Sequence, residues 1–208
     1  MIAPPERSAE RDAAIAALLP LVPAQGWTMA ALRGALGDIG ADTEDAELLF
    51  PGGGPDLIEA FIDISDRRME QDAAAADLAA LRLPARVRAL IALRLQANRP
   101  HKDAIRRAVG VLALPGNFAV AARCTGRTVD AIWHAAGDRA ADFSWYSKRA
   151  TLTGVYAATL LFWLRDQGED DAATLAFLDR RLEGVAHFGR WRRRAEAWFT
   201  RPAPTPQE

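Results

Sequence analysis

One cysteine, Cys124, is all that this 208-residue chain carries. A lone thiol excludes an internal disulfide framework and makes a reducing compartment the default. Net charge is almost absent as well, at −1, so no global field draws the chain towards nucleic acid. Long apolar runs are missing. The charge-free stretch Ala150 to Leu164 has fifteen residues, short of the roughly 20 that a membrane span needs. The opening MIAPPERSAERD has no apolar signal core and carries acids, so it reads as neither a secretory signal nor a transit peptide. The expectation is a soluble protein. Runs of β-branched residues are also lacking, which removes the usual signature of a sheet.

Half of the residues are hydrophobic, and the length suffices for one good core or two small ones. Charge is unevenly placed. From Trp27 to Asp56 six acids face one base, Arg33; from Ala186 to Arg201 five arginines face one acid. Alanine is abundant and apolar residues recur at three and four, so the chain reads as helical throughout. Ile15, Leu18, Leu19 and Val22 mark a first helix, and Thr28 caps a short second one. Asp42 or Thr43 caps a third, which PGGGP (51–55) stops. Pro55 then opens a long fourth helix at its favoured first position. Pro84, Pro100 and Pro115 introduce the fifth, sixth and seventh. The eighth runs from about Ser144 to Asp166 and the ninth from about Asp171 to His187; Gly189 precedes a short tenth. The predicted fold is all-α, a bundle of about nine helices plus a C-terminal amphipathic helix. Three short helices, a long fourth and then a bundle is the order of TetR-type proteins.

In such an order the third helix would enter a DNA groove. Its sequence is DTEDAELLF, and Asp42, Glu44, Asp45 and Glu47 would face the phosphates. A groove-reading helix carries Arg, Lys, Asn or Gln, and this one has none. No nucleic acid is expected as a partner.

Chemistry-bearing sets are equally sparse. His101, His134 and His187 are scattered without the spaced partners that metal ligation needs. Cys124 has no base close in sequence and reads as a buried, inert thiol. The glycines at 52–54 are followed by proline, not by a phosphate-loop lysine. No catalytic set, metal or cofactor is expected.

The most apolar stretch opens with DFSWYSKRATL, residues 142–152. Trp145, Arg149 and Leu152 fall on one helical face, and Val155, Tyr156 and Leu160 continue the stripe with Trp163. One reading is a core helix with a snorkelling arginine at its end. The other is an apolar pocket with a cation at its mouth, suited to an amphiphile with a polar head. On the tenth helix Trp191, Ala195, Trp198 and Phe199 form one face. Arg190, Arg193 and Arg194 lie elsewhere, and Arg192 borders the apolar side. Aromatics opposite arginines describe a helix lying in the interface of an anionic membrane.

DFSWYSKRATLTGVYAATLLFWL followed by TLAFLDRRLEGV resembles the ubiquinone-biosynthesis proteins of the Coq-nine type. GWTMAALRGAL and LLFPGGGPDLIEAF resemble the front half of bacterial members, so the likeness runs from Gln25 to Phe188. Leu175 departs from it, standing where the family has Trp. The resemblance implies a TetR-like fold without DNA binding, a homodimer, and a buried site for isoprenoid quinone intermediates or phospholipid. It also implies a terminal amphipathic membrane helix and a partnership with the demethoxyubiquinone hydroxylase. By motif matching, Arg149 would contact a lipid head, while Trp145 and Tyr146 would belong to the hydroxylase patch. The expected organisation is a helix-turn-helix-like region over 1–54, a lipid-binding and dimerisation bundle over 55–188, a membrane-contact helix over 189–200 and a disordered tail over 201–208. The expected role is a non-catalytic lipid-binding accessory protein of ubiquinone biosynthesis, cytoplasmic and peripheral on the inner membrane of a bacterium. The alternatives are a ligand-responsive transcriptional regulator and a lipid-processing enzyme.

Overall fold

The computed structural model describes residues 3–138 and 144–199, with side chains over 3–138 and 147–185. Among these residues every regular element is helical: α1 (Ala9–Leu18), α2 (Val22–Gln25), α3 (Met29–Asp38), α4 (Asp45–Leu49), α5 (Gly53–Ala75), α6 (Leu83–Ala97), α7 (Lys102–Leu112), α8 (Phe118–Ala135), α9 (Ser144–Arg165) and α10 (Ala172–Phe199). Short 3-10 turns at Arg99–His101 and Pro115–Asn117 lead into α7 and α8.

Local chemistry explains several boundaries. Thr28 Oγ1 accepts from the Ala31 amide and caps α3 as its position suggests, and Ser8 does the same for α1. Two expectations need correction. Neither Asp42 nor Thr43 caps α4, whose N-cap position is Glu44; the Asp42 carboxylate accepts from the Glu44 amide at 2.9 Å and closes the turn before the helix begins at Asp45. The long helix α5 starts at Gly53, two residues ahead of Pro55, because Gly53 adopts a positive φ of 63° that permits the entry turn. Gly54 is required for a different reason: a Cβ there would lie 2.6 Å from the Trp27 carbonyl oxygen.

Long-range pairs fix the course of the bundle. Asp66 to Arg94 sets α5 beside α6, and Glu59 to Arg127 with Asp66 to Thr128 sets α8 parallel to α5. Lys148 to Asp138 at one end of α9 makes it return along α8. Arg99 to Asp171 and Arg88 to Asp179 run α10 antiparallel to α6. One end of the molecule, here called upper, therefore holds α1–α4, α7 and the α9–α10 turn. The lower end holds the close of α8, the start of α9 and the far part of α10.

A continuous core joins both parts. Ile15, Leu18, Leu32, Leu36 and Phe50 meet Leu57 and Ile58 of α5, and the same cluster continues through Met69, Leu90, Ile91, Ile132 and Trp163. The expected boundary near residue 54 thus lies inside one core. Helix α10 also runs without interruption across Gly189, where the sequence suggests a break; glycine lowers helix stability without forcing an end. The expected tail over 201–208 lies outside the described residues. No single described helix is long and apolar enough to cross a membrane.

Candidate functional site at the start of α9

Helix α9 places its sequence-predicted residues on two sides. Leu152, Val155 and Tyr156 are buried in the core, and Leu160 packs against it partly buried. The stripe faces inward, as its spacing suggests. Arg149 turns to α8, where its Nε donates to Asp130. The adjacent Lys148 donates to Asp138 at 3.2 Å, with its Nζ 5.9 Å from the centroid of the Trp133 ring. The rim of this end is thus a row of alternating charges with an indole beside it. The side chains of Trp145 and Tyr146, and those of Arg190, Trp191, Arg192, Arg193, Arg194, Trp198 and Phe199, lie outside the described residues.

Beneath the rim sits a polar group that the sequence reading did not single out. Arg94 Nη1 donates to the Tyr156 hydroxyl at 2.7 Å, and Arg94 Nε donates to Asp66 at 2.8 Å. Thr128 Oγ1 lies 2.9 Å from the other Asp66 oxygen. Four helices are joined through four side chains. Ser65 and Asn98 add a second link between α5 and α6 at 3.0 Å. Burial raises the pKa of the Asp66 carboxyl, and Arg94 and Thr128 oppose that shift. Burial would lower the Arg94 value, but contact with Tyr156 and Asp66 outweighs it and keeps the guanidinium charged. The charge-assisted bond from Arg94, itself anchored by Asp66, fixes the Tyr156 hydroxyl in place. A signal for this group exists in α5, where Asp63, Ser65 and Asp66 interrupt the buried stripe of Leu57, Ile58, Phe61 and Met69.

Cys124 is buried, and burial pushes its thiol up to about 12, which suits an inert core thiol. Among the described residues no group of three or more His, Cys, Asp or Glu side chains is arranged to hold a metal.

The fold and this segment are shared with known proteins. Residues 118–189, which span α8, α9 and much of α10, match the model of the COQ9 family. The chain is 31% identical over 182 residues to ubiquinone biosynthesis protein COQ9, mitochondrial, of Rattus norvegicus, covering 84% of this chain and 58% of that protein. Over most of its length the chain is therefore similar to COQ9 proteins. Its identity to the Homo sapiens COQ9 is 30%, over 84% of this chain and 57% of that protein. The chain thus spans less than two thirds of the length of these curated relatives. The crystal structure of the TetR transcriptional regulator from Nitrosomonas europaea ATCC 19718 superposes with a TM-score of 0.70 at 26% identity, covering 86% of this chain and 99% of that one. The all-α, TetR-like architecture is therefore established.

Proposed function

We propose that this chain is a member of the COQ9 family and serves ubiquinone biosynthesis as a non-catalytic accessory protein that binds a polyprenyl quinone intermediate or phospholipid. It presents that lipid to the demethoxyubiquinone hydroxylase at an anionic membrane surface. The observation that carries the reading is the convergence at the lower end. The start of α9, with Lys148 and Arg149, lies at the same end as the far part of α10, whose sequence from Arg190 to Phe199 is basic and aromatic. A partner patch at Trp145 and Tyr146, a lipid site along Leu152, Val155, Tyr156 and Leu160, and a membrane contact through α10 would then share one end. The names of the relatives, which state a role in ubiquinone biosynthesis and a mitochondrial location, support the pathway. A homodimer fits the outer face of α9 and α10, where Leu161 is exposed and Phe162 stacks on Phe177 at 4.5 Å.

Arg149 would hold the lipid head in competition with Asp130, which already accepts from its Nε. The test is native mass spectrometry of the purified protein, compared with Arg149→Ala. The expected result is a co-purified quinone precursor or phospholipid in the first and reduced retention in the second. Equal retention would leave Arg149 with its ion pair alone, and a lipid-free wild type from a quinone-producing host would overturn the reading.

The regulator reading gains support from the TetR neighbour. The helix pair α3 and α4 presents exposed Asp42, Glu44, Asp45 and Glu47, and Arg33 is paired with Glu47. Phosphate would be repelled there. Sequence-specific, salt-sensitive duplex binding at low ionic strength would restore that alternative.

A further inference from the structure

At the upper end, on the flank away from Arg149, two clefts meet where α9 turns into α10. The larger, of about 960 Å³, is lined by Arg99, Lys102 and Arg106 around the start of α7 and by Arg165 at the end of α9. The smaller, of about 400 Å³, shares Arg99 and Asp171 with it and continues between α6 and α10 past Ala92, Leu95 and Leu175. A cationic mouth thus opens into a smaller cleft whose apolar strip of Ala92, Leu95 and Leu175 runs beside Gln96, Glu169 and Asp170.

The acids around this mouth are directed elsewhere. Asp166 accepts from the Thr174 hydroxyl at 2.6 Å and from the Gly168 and Thr174 amides. The Thr174 contact leads the interactions that lower its pKa. Asp170 accepts from the Ala172 amide at 3.0 Å, and buried Asp171 accepts from the Trp163 indole at 3.1 Å and pairs with Arg99 at 2.6 Å. These carboxylates build the turn and cap α10; Glu169 remains exposed. The cations are only partly used. Lys102 donates to the Asp166 carbonyl and lies 4.9 Å from the Trp163 ring centroid. Arg106 donates to the Leu164 carbonyl at 2.8 Å and pairs with exposed Asp103. An ammonium has three donors and a guanidinium five, so such contacts leave donors for a ligand. No aromatic residue is among those lining the larger cleft, which disfavours a stacked nucleobase.

We propose that this groove binds a single-chain amphiphile with a phosphate head, the head among Arg99, Lys102, Arg106 and Arg165 and the tail along Ala92, Leu95 and Leu175. The geometry stands apart from the lower-end site and does not depend on it. A phosphate takes up to three charge-assisted bonds from such a set, and the tail replaces water on the apolar wall.

The test is isothermal titration of the full chain with three probes: oleoyl lysophosphatidic acid below its micelle concentration, inorganic phosphate and mono-oleoylglycerol. Lysophosphatidic acid should bind best, with both other probes weaker by about ten-fold or more. The double variant Arg106→Gln/Arg165→Gln removes two exposed charges and should weaken lysophosphatidic acid by about ten-fold. Leu175→Trp, checked for folding by circular dichroism, should weaken the lipid while leaving inorganic phosphate unchanged. The share of lysophosphatidic acid binding that the double variant removes should persist in Arg149→Ala. Equal binding of the glycerol ester, equal binding of inorganic phosphate, or an unchanged affinity in the arginine variant would overturn the proposal. Loss on Arg149→Ala alone would move the ligand to the lower end and overturn it as well.

Discussion

Arg94 and Tyr156, 62 residues apart in sequence, meet inside the bundle at 2.7 Å. The contact decides how α9 is seated. Tyr156 shows its ring to the core, while its hydroxyl is held by a guanidinium that Asp66 anchors from the opposite side. A lipid tail beside α9 would meet that ring and the neighbouring aliphatic side chains, not the hydroxyl.

Removing one member of this group leaves a buried charge without its partner, a change that costs about 3–5 kcal/mol. Arg94→Met should therefore lower the urea midpoint strongly, because Asp66 loses its cation. Arg94→Met combined with Asp66→Leu should recover part of that loss, since neither charge remains. Chemical denaturation followed by circular dichroism measures both. A double variant as unstable as the sum of the single ones would show that the two residues act independently.

Legibility in the sequence divides along the range of the interactions. The Thr28 cap and the helix openings at Pro84, Pro100 and Pro115 are local, and the structure reproduces them. The inward stripe of Leu152, Val155 and Tyr156 follows from helical period alone. The partners of Arg149 and Tyr156 are not local: Asp130 lies on the preceding helix, α8, and Arg94 lies three helices before α9, on α6. Spacing says which face a residue occupies, never which distant side chain meets it. The entry to α5 shows the same limit, because the closeness of Gly54 to the Trp27 carbonyl exists only once α3 has packed. The lower-end convergence was half visible, since its aromatic and basic residues are contiguous in sequence while the antiparallel course of α10 depends on Arg88 and Asp179.

Two glycines separate packing from propensity. A Cβ at Gly54 would stand 2.6 Å from the Trp27 carbonyl oxygen, whereas one at Gly110, on the exposed face of α7, meets nothing within 4 Å. Gly54→Ala should destabilise by about 1–3 kcal/mol through overpacking against backbone. Gly110→Ala should stabilise by about 0.5–1 kcal/mol because alanine loses less backbone entropy in a helix. Thermal melts of the two variants should shift in opposite directions, and a common sign would refute the assignment.

Glu59 supplies the acid dependence. Burial pushes its pKa upward, but bonds to Arg123 at 3.0 Å and Arg127 at 2.8 Å overcome that and hold it below the ordinary value of 4.5. A carboxylate with a lowered folded-state pKa stabilises the protein above its unfolded value and loses that contribution as pH falls through the folded value. Wild type should therefore exceed Glu59→Gln in urea midpoint at pH 7, and the difference should shrink below pH 4.5. A gap that stays constant down to pH 3 would assign the difference to packing.

The far part of α10 is the remaining test of the membrane reading. The arc of Trp191, Ala195, Trp198 and Phe199 would enter the headgroup region while Arg190, Arg193 and Arg194 stay with lipid phosphates. Each base near an anionic surface contributes about 1 kcal/mol, and the aromatic face adds insertion. Because α10 is continuous across Gly189, a chain ending at Gly189 shortens the helix rather than removing a separate one. Its core contacts through Leu178 and Leu182 lie before that point, so the bundle should stay folded. Flotation with cardiolipin- or phosphatidylglycerol-rich vesicles should be lost in the shortened chain and weakened by high salt in the wild type. Trp191→Ala with Trp198→Ala should weaken it even at low salt, since charge without insertion gives only loose attachment. A shortened chain that still floats, or one that unfolds outright, would make this segment a structural piece of the bundle and remove the membrane contact from the proposed function.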